Sequence, residues 1–220
     1  MPGKYDLLVF DLDGTLFETR EDLAASVNYS LRKMGLKELP LETVVQFVGD
    51  GAAKLIQRSL GGEATESLCA EGLRIFLNHY SRNCTKLTEP YPGVAELIPG
   101  LPQSLAVLTN KPEGPTQSIL EVSGLGAYFK IIIGGDTAHG RKPDPSGMLS
   151  IMSELSVEPE RTLLVGDTSV DVETARNAGC DCAGVKYGFR PGDFIKTPPD
   201  YLLEEFPGLL KVIGGTRNLT

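Results

Sequence analysis

Leu7-Leu8-Val9-Phe10-Asp11-Leu12-Asp13-Gly14-Thr15 is a short apolar run that breaks into two carboxylates and a glycine. The run is too short for a helix and reads as a strand buried on both faces. The pattern returns at Leu105 to Leu108, Ile131 to Ile133, Leu163 to Val165 and Cys182 to Val185. Between most of these runs lie segments with helical spacing, such as Thr116 to Val122 and Pro145 to Leu155. Strands alternating with helices predict an α/β fold built on a doubly wound parallel sheet, covered by helices on both faces.

The alternation fails from about Phe17 to Leu87, a stretch with no convincing strand. Leu23, Val27, Leu31 and Met34 share one face of a helix that Gly35 would end, and Thr19 and Asp22 have the spacing of a capping box. Further helices are predicted over Leu41 to Phe47, Ala52 to Leu60 and Glu63 to Arg82. The expected organisation is a core segment at 1–17, an inserted all-helical cap domain at 18–88, and the rest of the core at 89–220. Polar Glu18-Thr19-Arg20 and proline-rich Thr88-Glu89-Pro90-Tyr91-Pro92-Gly93 mark the two crossings, a natural hinge. Phe47, Phe76 and Tyr80 read as packing within the cap.

Composition narrows the function. With 21 Lys and Arg against 29 Asp and Glu, the chain carries a formal charge of −8 and has no basic run. That is not the footprint of a protein that binds a polyanion, so nucleic acid is not expected as a partner. No stretch approaches the roughly 20 apolar residues that span a bilayer, so no membrane is expected either. Met1 to Asp6 lacks the apolar stretch of a signal peptide. Cys69, Cys84, Cys180 and Cys182 are too few for a disulfide framework and read as reduced thiols of a cytoplasmic protein. With only His79 and His139, a zinc site or a Ser-His-Asp triad is hard to assemble. The oligomeric state stays open.

In a doubly wound sheet, ligands bind outside the carboxyl ends of the strands. Three such ends carry polar groups: Asp11 to Thr15 after Phe10, Thr109-Asn110-Lys111 after Leu108, and Gly166-Asp167-Thr168-Ser169-Val170-Asp171 after Val165. Lys142 follows a fourth strand in Gly140-Arg141-Lys142-Pro143-Asp144-Pro145. Taken singly, each has a structural reading: an Asx turn for Asp-x-Asp-Gly, helix caps for the Thr, Asn and later Asp residues, a solvated charge for Lys142. Their common place at strand ends favours a site. Asp11, Asp13, Asp167 and Asp171 with Lys142 carry a formal charge of −3, which would repel a phosphate unless a divalent cation joined them. Oxygen donors without His or thiolate suit a hard ion, and Mg²⁺ takes substrate phosphate as a ligand. Protonating one carboxyl then neutralises the set and provides a general acid. Thr109, Asn110 and backbone donors can hold phosphoryl oxygens.

These residues resemble the haloacid dehalogenase superfamily of aspartate-nucleophile phosphatases over nearly the whole chain. Asp11-Leu12-Asp13-Gly14-Thr15-Leu16 resembles its first motif, Leu105 to Asn110 its second, Lys142 before Pro143 its third, and Gly166-Asp167 with Asp171 its fourth. The resemblance implies a Rossmann-like core with a helical cap inserted after the first motif. It also implies roles. Asp11 would attack phosphorus to form an aspartyl phosphate, and Asp13 would protonate the leaving alcohol and then activate water. Asp11, the backbone carbonyl of Asp13, and Asp167 would hold Mg²⁺, with Asp171 acting through water. Thr109, Asn110 and Lys142 would bind the phosphoryl group.

Within the superfamily, Glu89-Pro90-Tyr91-Pro92-Gly93-Val94 and Phe47-Val48-Gly49-Asp50-Gly51 look like phosphoglycolate phosphatases and close relatives. Phosphomutases of the β-phosphoglucomutase kind carry a His in the first cap helix, where this chain has Leu23, and haloacid dehalogenases lack the second acid, here Asp13. Both departures favour hydrolysis of an ester. The expectation is a Mg²⁺-dependent phosphatase of a small phosphorylated metabolite, 2-phosphoglycolate first. A broad-specificity sugar-phosphate or nucleotide phosphatase and a non-enzymatic phosphoryl sensor are the rivals. Specificity would fall to the cap turn Gly49-Asp50-Gly51, with Lys54 in the following helix adding charge for a substrate carboxylate; the alternative is a connecting turn with a solvated lysine. Arg141 is read as a solvated neighbour of Lys142, and His139 as lying outside the site.

Overall fold

The computed structural model describes residues 3–214; positions 1–2 and 215–220 of the expected core segments lie outside the described residues. Strand β1 (Leu7–Phe10) runs into a two-residue strand β2 (Phe17–Glu18), then four helices, α1 (Arg20–Lys33), α2 (Leu41–Phe47), α3 (Ala52–Leu60) and α4 (Glu66–Tyr80). The chain returns through β3 (Glu89–Pro90), α5 (Val94–Leu97), β4 (Ser104–Leu108), α6 (Glu113–Val122) and β5 (Phe129–Ile133). It closes with α7 (Ser146–Leu155), β6 (Thr162–Gly166), α8 (Ser169–Ala178), β7 (Asp181–Val185), β8 (Tyr201–Leu203) and α9 (Leu209–Ile213).

The main sheet has six strands in the order β5-β4-β1-β6-β7-β8, all paired in parallel. This is the doubly wound order, and it reverses direction between β1 and β6, where such sheets open a crevice at their carboxyl ends. Leu7, Leu8, Val9 and Phe10 are all fully buried. Leu8 and Phe10 enter one apolar cluster, with Leu105, Val107, Leu163 and Val165. Leu7 and Val9 enter a second, with Met148, Ile151 and Val172 from α7 and α8. The period-two alternation of a strand thus feeds two cores from one unbroken apolar run.

Three local expectations are corrected. The stretch from Phe17 does begin with a strand: β2 pairs antiparallel with β3, joining the two crossings in one ribbon. The sixth sheet strand, β8, is too short and too flanked by prolines and acids to show as an apolar run. Thr19 and Asp22 do not form a capping box. Asp22 instead accepts hydrogen bonds from the backbone N–H groups of Leu87 (2.9 Å) and Thr88 (3.0 Å) and from the Thr88 hydroxyl (3.0 Å), tying α1 to the outgoing crossing. A capping box does form at the start of α8, between Thr168 and Asp171.

The apolar faces of α1 to α4, including Leu23, Val27, Leu55, Ile56 and Phe76, join the same cluster as Phe10 and Leu12 of the core. The four helices therefore sit over the carboxyl edge of the sheet with a continuous apolar contact. Among the described residues, no helix is long and apolar enough to cross a membrane.

Candidate active site

The site grows from the end of β1. Asp11 is the first residue past the strand, its backbone N–H still bonded to the Val165 carbonyl at 2.9 Å, so its side chain is fixed by the sheet. The chain then turns sharply at Gly14, whose φ is +77°; a Cβ there would lie 2.3 Å from Asp167 Oδ2, so only glycine lets the two strand ends approach. Lys142, with a side chain only 2% exposed, donates to Asp171 Oδ1 at 2.6 Å and lies 3.0 Å from Asp11 Oδ2. The other oxygen of Asp171 accepts the Thr168 backbone N–H and hydroxyl through the capping box. Removing one member of such a buried ion pair typically costs about 3–5 kcal/mol, which keeps this corner rigid.

Asp11, Asp167 and Asp171 bring one carboxylate oxygen each to within 4.8 Å of one another. Burial, the largest cause, lifts the Asp11 carboxyl to about 6, with Lys142 pulling it down and Asp171 pushing it further up. Burial likewise raises Asp167 well above the usual carboxylate range, and Asp171 and Asp11 add to it. Burial works against the Lys142 ammonium too, but Asp11 and Asp171 outweigh it and hold it charged. Asp167 Oδ2 accepts the Phe189 N–H at 2.7 Å, whereas its buried Oδ1 has no hydrogen-bond partner among the described residues. Three buried carboxylates, one with an orphaned oxygen and none balanced by His or thiolate, fit a hard divalent cation.

Asp13 has different partners. Lys111 Nζ donates to both its oxygens, at 2.8 and 3.1 Å, and the Thr19 hydroxyl donates to Oδ1 at 2.7 Å. Lys111 also donates to the hydroxyl of Tyr80, at the end of α4, so one lysine links a carboxylate at the sheet edge to a helix of the four-helix segment between β2 and β3. The sequence names Lys111 as a strand-end residue but not as part of the site, and reads Tyr80 as packing. Tyr80 does stack on Phe76, with centroids 5.3 Å apart, while its hydroxyl reaches the core. Position directly after Asn110 at a strand end was the available signal for Lys111; for Tyr80 there was none.

Thr109 and Asn110 are buried beside Asp11, and the Thr109 hydroxyl hydrogen-bonds that carboxylate. Both Asn110 side-chain donors are already engaged, by the Gly49 carbonyl at 2.8 Å and the Lys142 carbonyl at 3.0 Å. In this arrangement the Asn110 amide clasps the cap turn and has no side-chain proton left for a phosphoryl oxygen. Gly49 and Gly51 line the cavity; Asp50 and Lys54 do not. Asp50 pairs with Arg58 at 2.6 Å, and the exposed Lys54 donates to Gln57 at 3.1 Å. Arg141 donates to the Gly135 carbonyl, and neither it nor His139 lines the cavity. The cavity holds about 40 Å³, bounded by Asp11, Asp13, Thr109, Lys111 and Asp167 below and by Leu23, Val48, Leu55, Phe76 and Tyr80 above.

Comparison with known proteins agrees with this geometry. A family model described as haloacid dehalogenase-like hydrolase matches residues 8–185. A phosphoglycolate phosphatase of Pseudomonas putida is 37% identical over 93% of this chain and 78% of its own length. Another, from Aquifex aeolicus, is 32% identical over 90% of this chain and 99% of its own. The crystal structure of a protein from Haemophilus somnus, titled a predicted phosphoglycolate phosphatase, superposes with a TM-score of 0.90 at 31% identity, covering 95% of this chain and 98% of that one.

Proposed function

We propose a reaction from one premise: the chain belongs to the haloacid dehalogenase-like hydrolase family and is a phosphoric monoester hydrolase. The reaction is Mg²⁺-dependent hydrolysis of 2-phosphoglycolate through a phosphorylated Asp11. The observation that supports it best is the division of labour between Asp11 and Asp13, which line one small cavity but are held by separate lysines.

An Asp11 oxygen attacks phosphorus, and the ester P–O bond breaks as Asp13 gives its proton to the leaving oxygen. Asp13, now a carboxylate, takes a proton from the water that attacks the phosphoenzyme, which frees phosphate and restores Asp11. Lys142 and Thr109 face the phosphoryl group from the side of Asp11. Asp11, Asp167, Asp171 and the Asp13 carbonyl are the residues that would hold Mg²⁺, which when bound neutralises charge on the phosphoryl oxygens.

Size supports the named ester. The cavity, of about 40 Å³, is small, so a two-carbon leaving group asks less displacement of the helices above it than a sugar or nucleoside would. The test is a panel of phosphoglycolate, hexose phosphates and nucleoside monophosphates with Mg²⁺, ranked by kcat/KM. Phosphoglycolate should lead by at least about tenfold. Equal efficiency across the panel would instead support a broad phosphatase, and release that stops at one equivalent would support a phosphoryl sensor.

A further inference from the structure

We infer that Lys111 and Tyr80 together bind an acid group on the leaving alcohol, making this a site for phosphate esters of short hydroxy acids. The inference rests on the phosphatase reading above and assigns the specificity that reading leaves without an owner, since Lys54 and Asp50 face away.

Lys111 is the cavity's only cationic lining residue among the described residues, and its side chain is 1% exposed. Its protons go to Asp13 and to the Tyr80 oxygen. Because Tyr80 accepts from Lys111, its own proton remains, and no described residue takes it. The rest of the upper wall is Leu23, Val48, Leu55 and Phe76, which offer no side-chain acceptor. One free donor, the Tyr80 hydroxyl, and one buried cation, Lys111, therefore face the leaving group across an apolar wall, an arrangement that an alkyl group would leave with an unpaired hydroxyl and a carboxylate would complete. Placement agrees with this. The acid that must reach the ester oxygen, Asp13, is itself in contact with Lys111. In a 2-hydroxy acid ester, the carboxylate sits on the same carbon as that oxygen. Arg190, the rival cation, does not line the cavity, although its Nε and Nη2 are buried beside the Gly49 turn without hydrogen-bond partners among the described residues.

The test compares phosphoglycolate with ethyl phosphate, which has the same leaving chain without the acid. Wild type should prefer phosphoglycolate. Lys111→Met, by disturbing Asp13, should slow both esters, but should cost a further 10- to 100-fold or so on phosphoglycolate alone. Tyr80→Phe keeps the Asp13–Lys111 pair and should lower the preference several-fold, chiefly through KM. If Lys111→Met fails to fold, as judged by circular dichroism, Tyr80→Phe decides. An unchanged preference in folded variants, or one that follows Arg190→Met instead, overturns the assignment while leaving the phosphatase reading in place. If wild type turns over neither ester nor an aryl phosphate, the phosphatase reading falls and takes the inference with it.

Discussion

Asp11 and Asp13 are chemically the same group two residues apart, and they differ in their partners, which is the basis of the separate tasks proposed for them. Asp11 sits in a cluster of carboxylates against Lys142, where it is shielded and fixed. Asp13 meets one hydroxyl and Lys111 beneath α4, where the proposed reaction would release its leaving group. Asp11→Asn keeps nearly the same volume and should lower kcat by at least about 10⁴-fold with an unchanged circular dichroism spectrum. Retention of a phosphoenzyme in that variant, trapped by acid quench with labelled substrate, would place the nucleophile elsewhere. Asp13→Asn should slow alkyl esters far more than aryl esters, whose good leaving groups need little protonation. Equal losses on both would remove Asp13 from the acid role.

At the scale of elements, the cap is held by contacts that are local in space and distant in sequence. Asp22→Ala would strand two backbone N–H groups at the outgoing crossing and should lower stability by about 2–4 kcal/mol in urea unfolding. A loss nearer 1 kcal/mol is what a mere helix-cap residue would give. The turn Gly49 to Gly51 offers a second test. Gly51 has φ +86° and would bring a Cβ within 3.4 Å of the Asn110 carbonyl oxygen, so Gly51→Val should strain the turn. It should raise KM for phosphoglycolate several-fold, with a smaller effect on an aryl phosphate. These elements also show what could be read in advance. The long strands announce themselves as apolar runs because β1, β4, β6 and β7 are buried on both faces and the edge strand β5 keeps its isoleucines at least half-buried, and the polar residues after them mark the carboxyl edge. The Asp22 contacts join residues 65 and 66 apart, and the Lys111–Tyr80 contact spans 31. No periodicity encodes those meetings; only the docking of α1 and α4 on the sheet creates them. Asp22 followed Thr19 with the spacing of a cap and was claimed by a stronger use, three donors at once.

For the whole molecule, the carboxylate cluster should tie stability to metal and to pH. The folded-state value for Asp11, about 6, lies above the 3.8 of an ordinary aspartate, and Asp167 is shifted the same way. The folded chain then binds more protons than the unfolded one over that range, so metal-free protein should lose stability as pH rises from about 4 through 6. Its Tm should be higher at pH 5 than at pH 7.5. Adding Mg²⁺ at pH 7.5 should raise Tm by mass action and flatten the pH dependence, and chelation should abolish turnover until Mg²⁺ is restored. A Tm indifferent to Mg²⁺ would argue against the metal centre. The central place of β1 carries a further consequence, for the order in which the molecule is made. Leu7 pairs with Ser104 on one side and Thr162 on the other, so the strand that leads into Asp11 is synthesised before both of its neighbours. At roughly 5–20 residues per second, its second neighbour leaves the ribosome about 8–30 s after it does. Until β4 and then β6 arrive, four fully apolar residues lack one or both of their neighbours, which makes slow folding and nascent-chain aggregation the particular hazards of this topology. Recovered activity during refolding should lag behind helix formation, because β1 gains both neighbours only through pairings of long sequence separation.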